Sequence, residues 1–322
     1  MDTPFIAFLD ITKIFGKNVI LDNLELEIPY GEIFGIIGKS GSGKTTLLSI
    51  LVGFLNPERG KVFFQGLELR DNYNKVMEQF GFTAQEGSFY PKLTVKENLE
   101  YFGTMYNLSS ASIKNRIPEL LRLVNLQDDK DKLASELSSG MQKRLDIACA
   151  IIHNPKVLIL DEPTEDLDPG LRREILRLLK KINKEKKVTI VITSHLLEEI
   201  EQICTRLAIL HNKKILISGT VNELKDSYSK NQKIIIETYS GKYPGLVKIL
   251  RENKDVERFV ESGNRLFVYS PKAESVLRIL LKELEDRNEK ILDVDLKKPS
   301  LTEVFQSLTK DVQINRSNKE KS

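Results

Sequence analysis

Tryptophan is absent from this 322-residue sequence, cysteine occurs twice and histidine three times. Two cysteines exclude a disulfide framework by count, and both Cys149 and Cys204 sit in apolar helical stretches, where small buried hydrophobes belong. The start of the chain lacks a basic segment followed by an apolar core of about 7–15 residues, so no signal peptide is predicted. Nor does any apolar run approach the ~18 residues needed to span a bilayer. The expectation is a soluble, cytoplasmic chain that reaches a membrane only through a partner. An excess of one charge is lacking too. The 49 Lys and Arg stand against 46 Asp and Glu, a net of +3. Phosphate backbones demand clustered Lys and Arg, so a dedicated nucleic-acid surface is not expected. What remains is 40% apolar residues, enough for real cores, in a length that suits one large and one small domain.

The strongest positive signal is Gly38-Lys39-Ser40-Gly41-Ser42-Gly43-Lys44-Thr45-Thr46, which fits G-x-x-x-x-G-K-[ST] at every fixed position. Residues 32–37 before it read as a short buried strand, and residues 47–52 after it are apolar at helical spacing. Glycines let successive N–H groups curl around phosphate oxygens, and a helix N-terminus favours the anion. Lys44 supplies a cation to the outer phosphates, and the Thr45 hydroxyl suits Mg²⁺. The alternative, a plain glycine-rich turn, does not explain the strand before or the helix after.

Around this loop the chain alternates strands and helices. Residues 5–28 alternate apolar and polar, which predicts antiparallel strands; Phe15 between them is either core or a ring for stacking on a base. A strand pair is expected near 57–72 and another strand at Phe80-Gly81-Phe82-Thr83, ending at Gln85, ordinarily a solvated loop residue. Residues 93–142 turn helical and read as an insertion between halves of an α/β core. Leu137-Ser138-Ser139-Gly140-Met141 opens the next helix, either as an ordinary cap or as a second anion site.

Val157-Leu158-Ile159-Leu160 then runs into Asp161-Glu162. An unbroken apolar strand belongs to a parallel sheet covered on both faces, and such sheets bind ligands beyond their carboxyl ends. Two adjacent acids there repel each other unless a cation relieves them; otherwise they are a surface pair. Residues 188–193 repeat the buried-strand pattern and end at Ser194-His195, leaving His195 either structural or on the phosphate side. Residues 223–231 are polar and read as a helix end running into a linker. Beyond it the order is β-α-β-β-α-β over residues 232–296, the split-βαβ, ferredoxin-like arrangement. A closing helix over 300–309 begins with Ser300 and Glu303 in capping-box spacing and carries Leu301, Val304, Phe305 and Leu308 as one stripe. The tail from about 311 to 322 is polar and expected to be disordered. The chain carries no internal repeat.

Taken together, Gly38–Thr46, Gln85, Leu137–Gly140, Val157–Thr164 and His195 resemble the ATPase subunits of ABC transporters, over about residues 3–222. The resemblance implies an α/β phosphate-loop NTPase cassette at residues 1–222, with a mixed sheet core, an antiparallel β subdomain and a helical subdomain near 87–142. A small α+β ferredoxin-like domain would follow at 232–310. It also implies roles. Phe15 would stack on adenine, and residues 38–46 would hold the ATP phosphates. Thr45, Gln85 and Asp161 would hold Mg²⁺. Glu162 would polarise the attacking water, and His195 would touch the γ-phosphate beside Lys44. Ser138, Ser139, Gly140 and Met141 would form the signature, acting on the partner subunit's ATP across a two-fold dimer, with Asp168 in the loop at the dimer seam.

Residues 94–101, 144–148 and 299–305 resemble the drug-exporter branch, whose subunits pair with a separately encoded membrane permease. That implies a cytoplasmic location at the inner face of the cell membrane. Three departures stand out. Ser139 replaces the usual glycine, Met141 the usual Gln, and Glu165-Asp166 a small Ser-Gly pair. The alternatives weighed against an exporter ATPase are an importer subunit with a C-terminal sensor domain, a soluble ABC protein acting on ribosomes or DNA, and a regulator that does not hydrolyse ATP.

Overall fold

The structure is a computed structural model that describes residues 4–228, 232–298 and 300–305. The chain divides into two compact units between Thr220 and Val221.

In the first unit the period-two alternation of the opening residues produces β1 (Ile6–Phe15) and β2 (Asn18–Ile28), paired antiparallel. The chain then enters β3 (Ile33–Ile37), every residue of which is buried, and the phosphate loop, which leads into α1 (Lys44–Leu51). Next come β4 (Arg59–Phe64), β5 (Leu67–Glu68), the short α2 (Tyr73–Met77) and β6 (Phe80–Thr83). The first sheet is four-stranded and antiparallel in the order β2-β1-β4-β5.

Three helices follow: α3 (Val95–Met105), α4 (Ser110–Val124) and α5 (Ser139–Ala150). Each starts on a hydroxyl side chain that accepts from a backbone N–H of the first turn: Thr94, Ser109 and Ser138. Asn98 on α3 is fully buried, and its amide holds both the N–H and the C=O of Tyr90.

The rest of the unit is β7 (Val157–Leu160), α6 (Pro169–Lys186), β8 (Thr189–Ser194), α7 (Leu197–Ile203), β9 (Arg206–His211) and β10 (Lys214–Thr220). These build a six-stranded sheet in the order β10-β9-β3-β8-β7-β6, parallel from β9 to β6, with β10 antiparallel at its edge. One apolar core contains both sheets and the helix between them: Phe8 and Leu24, Phe34 and Val191, Leu47 and Leu51. Fully burying each such side chain contributes roughly 1.5–3 kcal/mol. Cys149 and Cys204 are free and buried, as small hydrophobes.

Because β3, β8, β7 and β6 run the same way side by side, their carboxyl ends line up along one edge of the sheet. That edge receives the phosphate loop, His195, the Asp161-Glu162 pair and Gln85 from four neighbouring strands. This placement makes the site.

The second unit begins with α8 (Val221–Tyr228), so most of the expected linker is helix. Leu224, buried in a polar-looking stretch, is the apolar anchor that the composition of the segment hides. Residues 229–231 lie outside the described residues. Then follow β11 (Gln232–Thr238), α9 (Pro244–Glu252), β12 (Arg258–Ser262), β13 (Arg265–Ser270), α10 (Ala273–Asp286) and β14 (Ile291–Lys297). The sheet is antiparallel in the order β12-β13-β11-β14, with the first and third strands of this unit in the middle, as a split-βαβ arrangement requires. Its core runs from Ile234 and Ile236 through Val268 to Leu246, Leu250 and Leu280 on the helices.

Residues 301–305 are helical, with Leu301, Val304 and Phe305 buried and Glu303 bonded back to Ser300 in a capping box. Glu303 also accepts from Tyr269 and pairs with Lys233, which ties this turn to the sheet. The rest of the expected closing helix, with Leu308, and the expected tail lie outside the described residues.

Candidate functional site

The phosphate loop closes on itself through Ser42 N–H donating to the Lys39 carbonyl at 3.1 Å. Its first glycine is dictated by space: a Cβ on Gly38 would stand 2.3 Å from Ser42 Oγ and 2.6 Å from the Leu210 carbonyl. Lys44, the first residue of α1, is only 5% exposed. Its Nζ donates to the carbonyls of Gly38 at 3.0 Å and Lys39 at 3.3 Å, and pairs with Glu162 Oε1 at 3.0 Å. Glu162 Oε2 in turn meets His195 Nδ1 at 2.6 Å. One carboxylate thus bridges the loop lysine and the histidine at the end of β8.

Glu162 is also bent into place, with φ at +47°, a conformation few non-glycine residues adopt. Its N–H donates to Thr193 Oγ1 at 2.9 Å, and the same hydroxyl donates to Asp161 Oδ1 at 2.6 Å. Thr193, which the sequence did not mark, therefore orients both acids from the neighbouring strand. Burial works against ionising Glu162, but the hydrogen bonds and charge of Lys44 and His195 outweigh it and hold the carboxyl below its usual value.

The loop, Glu162 and His195 open onto a cleft of about 580 Å³, lined also by Phe15, Ile20, Lys39, Ser40, Gly41, Gly43, Thr45, Thr46, Gln85 and Glu165. Phe15 stands at its rim, 47% exposed, with Lys13 Nζ 5.1 Å from the ring centre. Gln85 Nε2 donates to Glu165 Oε2 at 2.5 Å across the cleft. Asp161, at the end of β7, is buried just behind, and Gly38 and Ser42 shape the loop beneath.

Other expected site residues are not in this cleft. Ser138 caps α5 by accepting from Met141 N–H, and neither it nor Ser139, Gly140 or Met141 lines the cleft of the same chain. Gly140 packs so tightly on α6 that a Cβ there would stand 2.8 Å from the Leu171 side chain. Asp168 caps α6, accepting from Gly170 and Leu171 N–H. Glu165 is the reverse case. Marked only as a departure near a dimer seam, it forms part of the wall of its own cleft. The turn that carries it there has Asp166 at φ +61°, where glycine would be unstrained.

Two further groups, one buried and one half-buried, escaped the sequence reading. On α5, Asp146 is 1% exposed, and its Oδ1 accepts from Ser88 N–H at 2.8 Å. Burial pushes its carboxyl up to about 6, against the opposing pull of Lys143 and the Ser88 hydrogen bond. Lys143 is itself held below its usual value by burial. A charged residue facing the core side of a helix leaves little trace in a periodicity.

The sequence matches the ABC transporter family over residues 21–165, and the family described as ATP-binding protein DrrA1-3-like, C-terminal domain, over residues 219–309. It is 34% identical to the Nod factor export ATP-binding protein I of Rhizobium sp. (strain N33), over 96% of this chain and 98% of that protein. The chain belongs to the ATP-binding subunits of ABC transporters. Within that family, the linearmycin resistance ATP-binding protein of Bacillus subtilis (strain 168) is 32% identical over 93% of this chain and 96% of its own length. Among solved structures, the dimeric post-hydrolysis state of an ATP-binding cassette with ADP and Pi bound matches with a TM-score of 0.60 and 28% identity. That match covers 67% of this chain and 98% of the cassette.

This ABC subunit is an ATPase, and the residues that match the ABC transporter family lie within the first unit. Among its described residues, no helix is long and apolar enough to cross a membrane.

Proposed function

We propose that this subunit powers export through a separate membrane permease, by ATP-driven closing of a dimer of two cassettes and hydrolysis that reopens it. The single observation that carries this reading is the convergence of Lys44, Glu162 and His195 in one cleft under the phosphate loop. Residues 38–46 would take the ATP phosphates on backbone N–H groups and Lys44, while Phe15 at the rim would stack on adenine. Export rather than import is supported by the relatives, which are named for Nod factor export and linearmycin resistance. The cargo would be chosen by the permease.

The donor set fits Mg²⁺. Thr45 offers a hydroxyl to the cleft, Gln85 keeps its amide oxygen free of the bond to Glu165, and Asp161 supplies a carboxylate, all hard oxygen ligands. Bound there, the ion would neutralise charge on the outer phosphates.

Hydrolysis would then be in-line attack of water on the γ-phosphorus. Glu162 accepts the water's proton, and the bond to the bridging oxygen breaks with its electron pair leaving on ADP. Lys44 and His195 both favour the ionised form of Glu162. Burial opposes that pull, so a phosphate that engages Lys44 would weaken one of the two interactions that hold the carboxyl low. His195 then sits beside the γ-phosphate, on the other side of the same carboxylate.

Ser138–Met141, away from the cleft of their own chain, and the Asp168 turn would act on the nucleotide of the second copy. There the departures matter: Ser139 adds a side chain to the turn that would meet the second copy's nucleotide, while Glu165, in the wall of its own cleft, places negative charge where its own chain's triphosphate must enter. We expect the double change Glu165→Ser with Asp166→Gly to tighten the ATP-bound dimer by about fivefold, the scale of one exposed charge contact, and Ser139→Gly, which removes a side chain but no charge, to tighten it as well. Size-exclusion runs with and without Mg-ATP in a Glu162→Gln background test both the dimer and its tuning. An unchanged dimer fraction would refute the tuning, and a monomer at saturating Mg-ATP would refute the dimer.

The second unit we read as an assembly module rather than a sensor. Among its described residues it holds no Cys or His, and the buried stripe Leu301, Val304, Phe305 is apolar. Deleting residues 221–322 is expected to leave a folded cassette that binds ATP but joins its permease poorly, and Phe305→Ala to reproduce part of that defect. Co-purification with the permease is the measurement. Normal assembly of the truncated chain, with a small molecule altering the rate of the full chain, would favour a sensor.

A further inference from the structure

Between the end of β6 and the start of α3, residues 84–90 carry Gln85 into the cleft, and the structure pins this loop at three places. Gly87 N–H closes a turn on the Ala84 carbonyl at 3.2 Å. Asn98 on α3 grips Tyr90 at both its N–H and its C=O. In the middle, Asp146 on α5 takes Ser88 N–H at 2.8 Å, and Lys143, one turn earlier on the same helix, donates to the Gln85 carbonyl at 3.4 Å.

The middle anchor is chemically odd. A hydroxyl or an amide would accept one N–H without burying a charge. Here a carboxylate is almost wholly buried, its Oδ2 has no hydrogen-bond partner, and its cation stands 3.8 Å away. Burying a charge with so little compensation costs stability, so packing alone does not account for it. What the arrangement does achieve is a continuous polar path. It runs from Glu165 in the cleft, through Gln85, to Lys143 and Asp146 on the helix that Ser138 caps.

We propose that Asp146, with Lys143, is a positioning residue that fixes the Gln85 loop to α5, so that Gln85 and the Ser138–Met141 turn move as one piece. This rests on reading the cleft as the ATP site. The phosphate loop stands on β3 and α1 and shares no bond with the anchor, so losing the anchor should slow the chemistry without loosening nucleotide. Asp146→Ala is expected to lower kcat about tenfold to a hundredfold, the scale of a small misplacement in a positioned site, with KM for ATP nearly unchanged. Asp146→Asn keeps an acceptor for Ser88 N–H and should recover most of the rate.

Hydrogen exchange on the full-length, nucleotide-free protein gives the second readout. In Asp146→Ala, exchange should quicken over residues 85–90 and stay as in wild type along α5. Three results would overturn the proposal: an unchanged kcat, exchange quickening throughout α5 with a lowered melting temperature, or loss of ATP affinity in step with kcat. Failure of wild type itself to bind ATP would instead sink the reading of the cleft, while the exchange experiment would still report whether Asp146 holds the loop.

Discussion

Lys44→Ala is expected to abolish measurable ATP binding. Lys44 is buried, and its ammonium is held in place by two loop carbonyls before any nucleotide arrives. A triphosphate therefore meets a cation already oriented. Each charge-assisted hydrogen bond is worth about 1.5–3 kcal/mol. Losing two of them raises Kd roughly 10²–10⁴-fold, since every 1.4 kcal/mol or so is a factor of ten. A second effect adds to this. Without Lys44, Glu162 keeps only His195 as a partner and turns an uncompensated negative charge toward the phosphates. Lys39 is the internal control: it lines the same cleft but is solvent-exposed, so Lys39→Ala should cost far less. Calorimetric or fluorescent-nucleotide titration of the three proteins decides the matter. Equal affinities in wild type and Lys44→Ala would mean that the phosphates sit elsewhere.

Why Lys44 was legible in the sequence and its partner contacts were not is a matter of range. The phosphate loop, the all-apolar β7 and β8 and the strand order of the second unit are encoded by neighbours a few residues apart, in loop glycines and in periodicities of two and 3.6. The bridge from Lys44 through Glu162 to His195 joins three strand ends far apart in sequence. Only the parallel order of β3, β8 and β7 brings them together. Glu165 was placed by its motif but not aimed by it. Its direction depends on the left-handed backbone at Asp166, and an Asp in place of glycine does not announce that conformation. Asp146 is hidden for another reason: it lies in the 144–148 stretch, and nothing in its local sequence says that this acid faces the core. Residues 223–231 read as a helix end before a linker, and the helix runs on to Tyr228 because one buried Leu224 outweighs a run of polar neighbours.

Glu162→Gln should separate binding from turnover, and the bridge from Lys44 through Glu162 to His195 sharpens what to expect. Glutamine matches glutamate in shape and cannot take a proton from water, so turnover should fall about 10²–10⁴-fold, the usual contribution of a general base. Affinity should move the other way. In the free protein Glu162 competes with ATP for Lys44, through a contact of 3.0 Å between two largely buried side chains. The neutral amide weakens that competition, and removing negative charge from the cleft favours a polyanion as well. A gain of roughly tenfold in ATP affinity follows if the lost pairing is about 1.5 kcal/mol, the low end of the range for hydrogen bonds to charged groups. Tight binding with stalled chemistry then accumulates the ATP-bound dimer. The base assignment is tested by steady-state hydrolysis, where a rate within threefold of wild type would rule Glu162 out. The competition is tested by titration: affinity unchanged or weakened would show that the Lys44–Glu162 pair is no barrier to nucleotide entry, even if turnover is lost. Glu162→Asp completes the test, because it keeps the charge but shortens the reach. Hydrolysis should drop while affinity stays near that of wild type, which charge removal alone cannot produce.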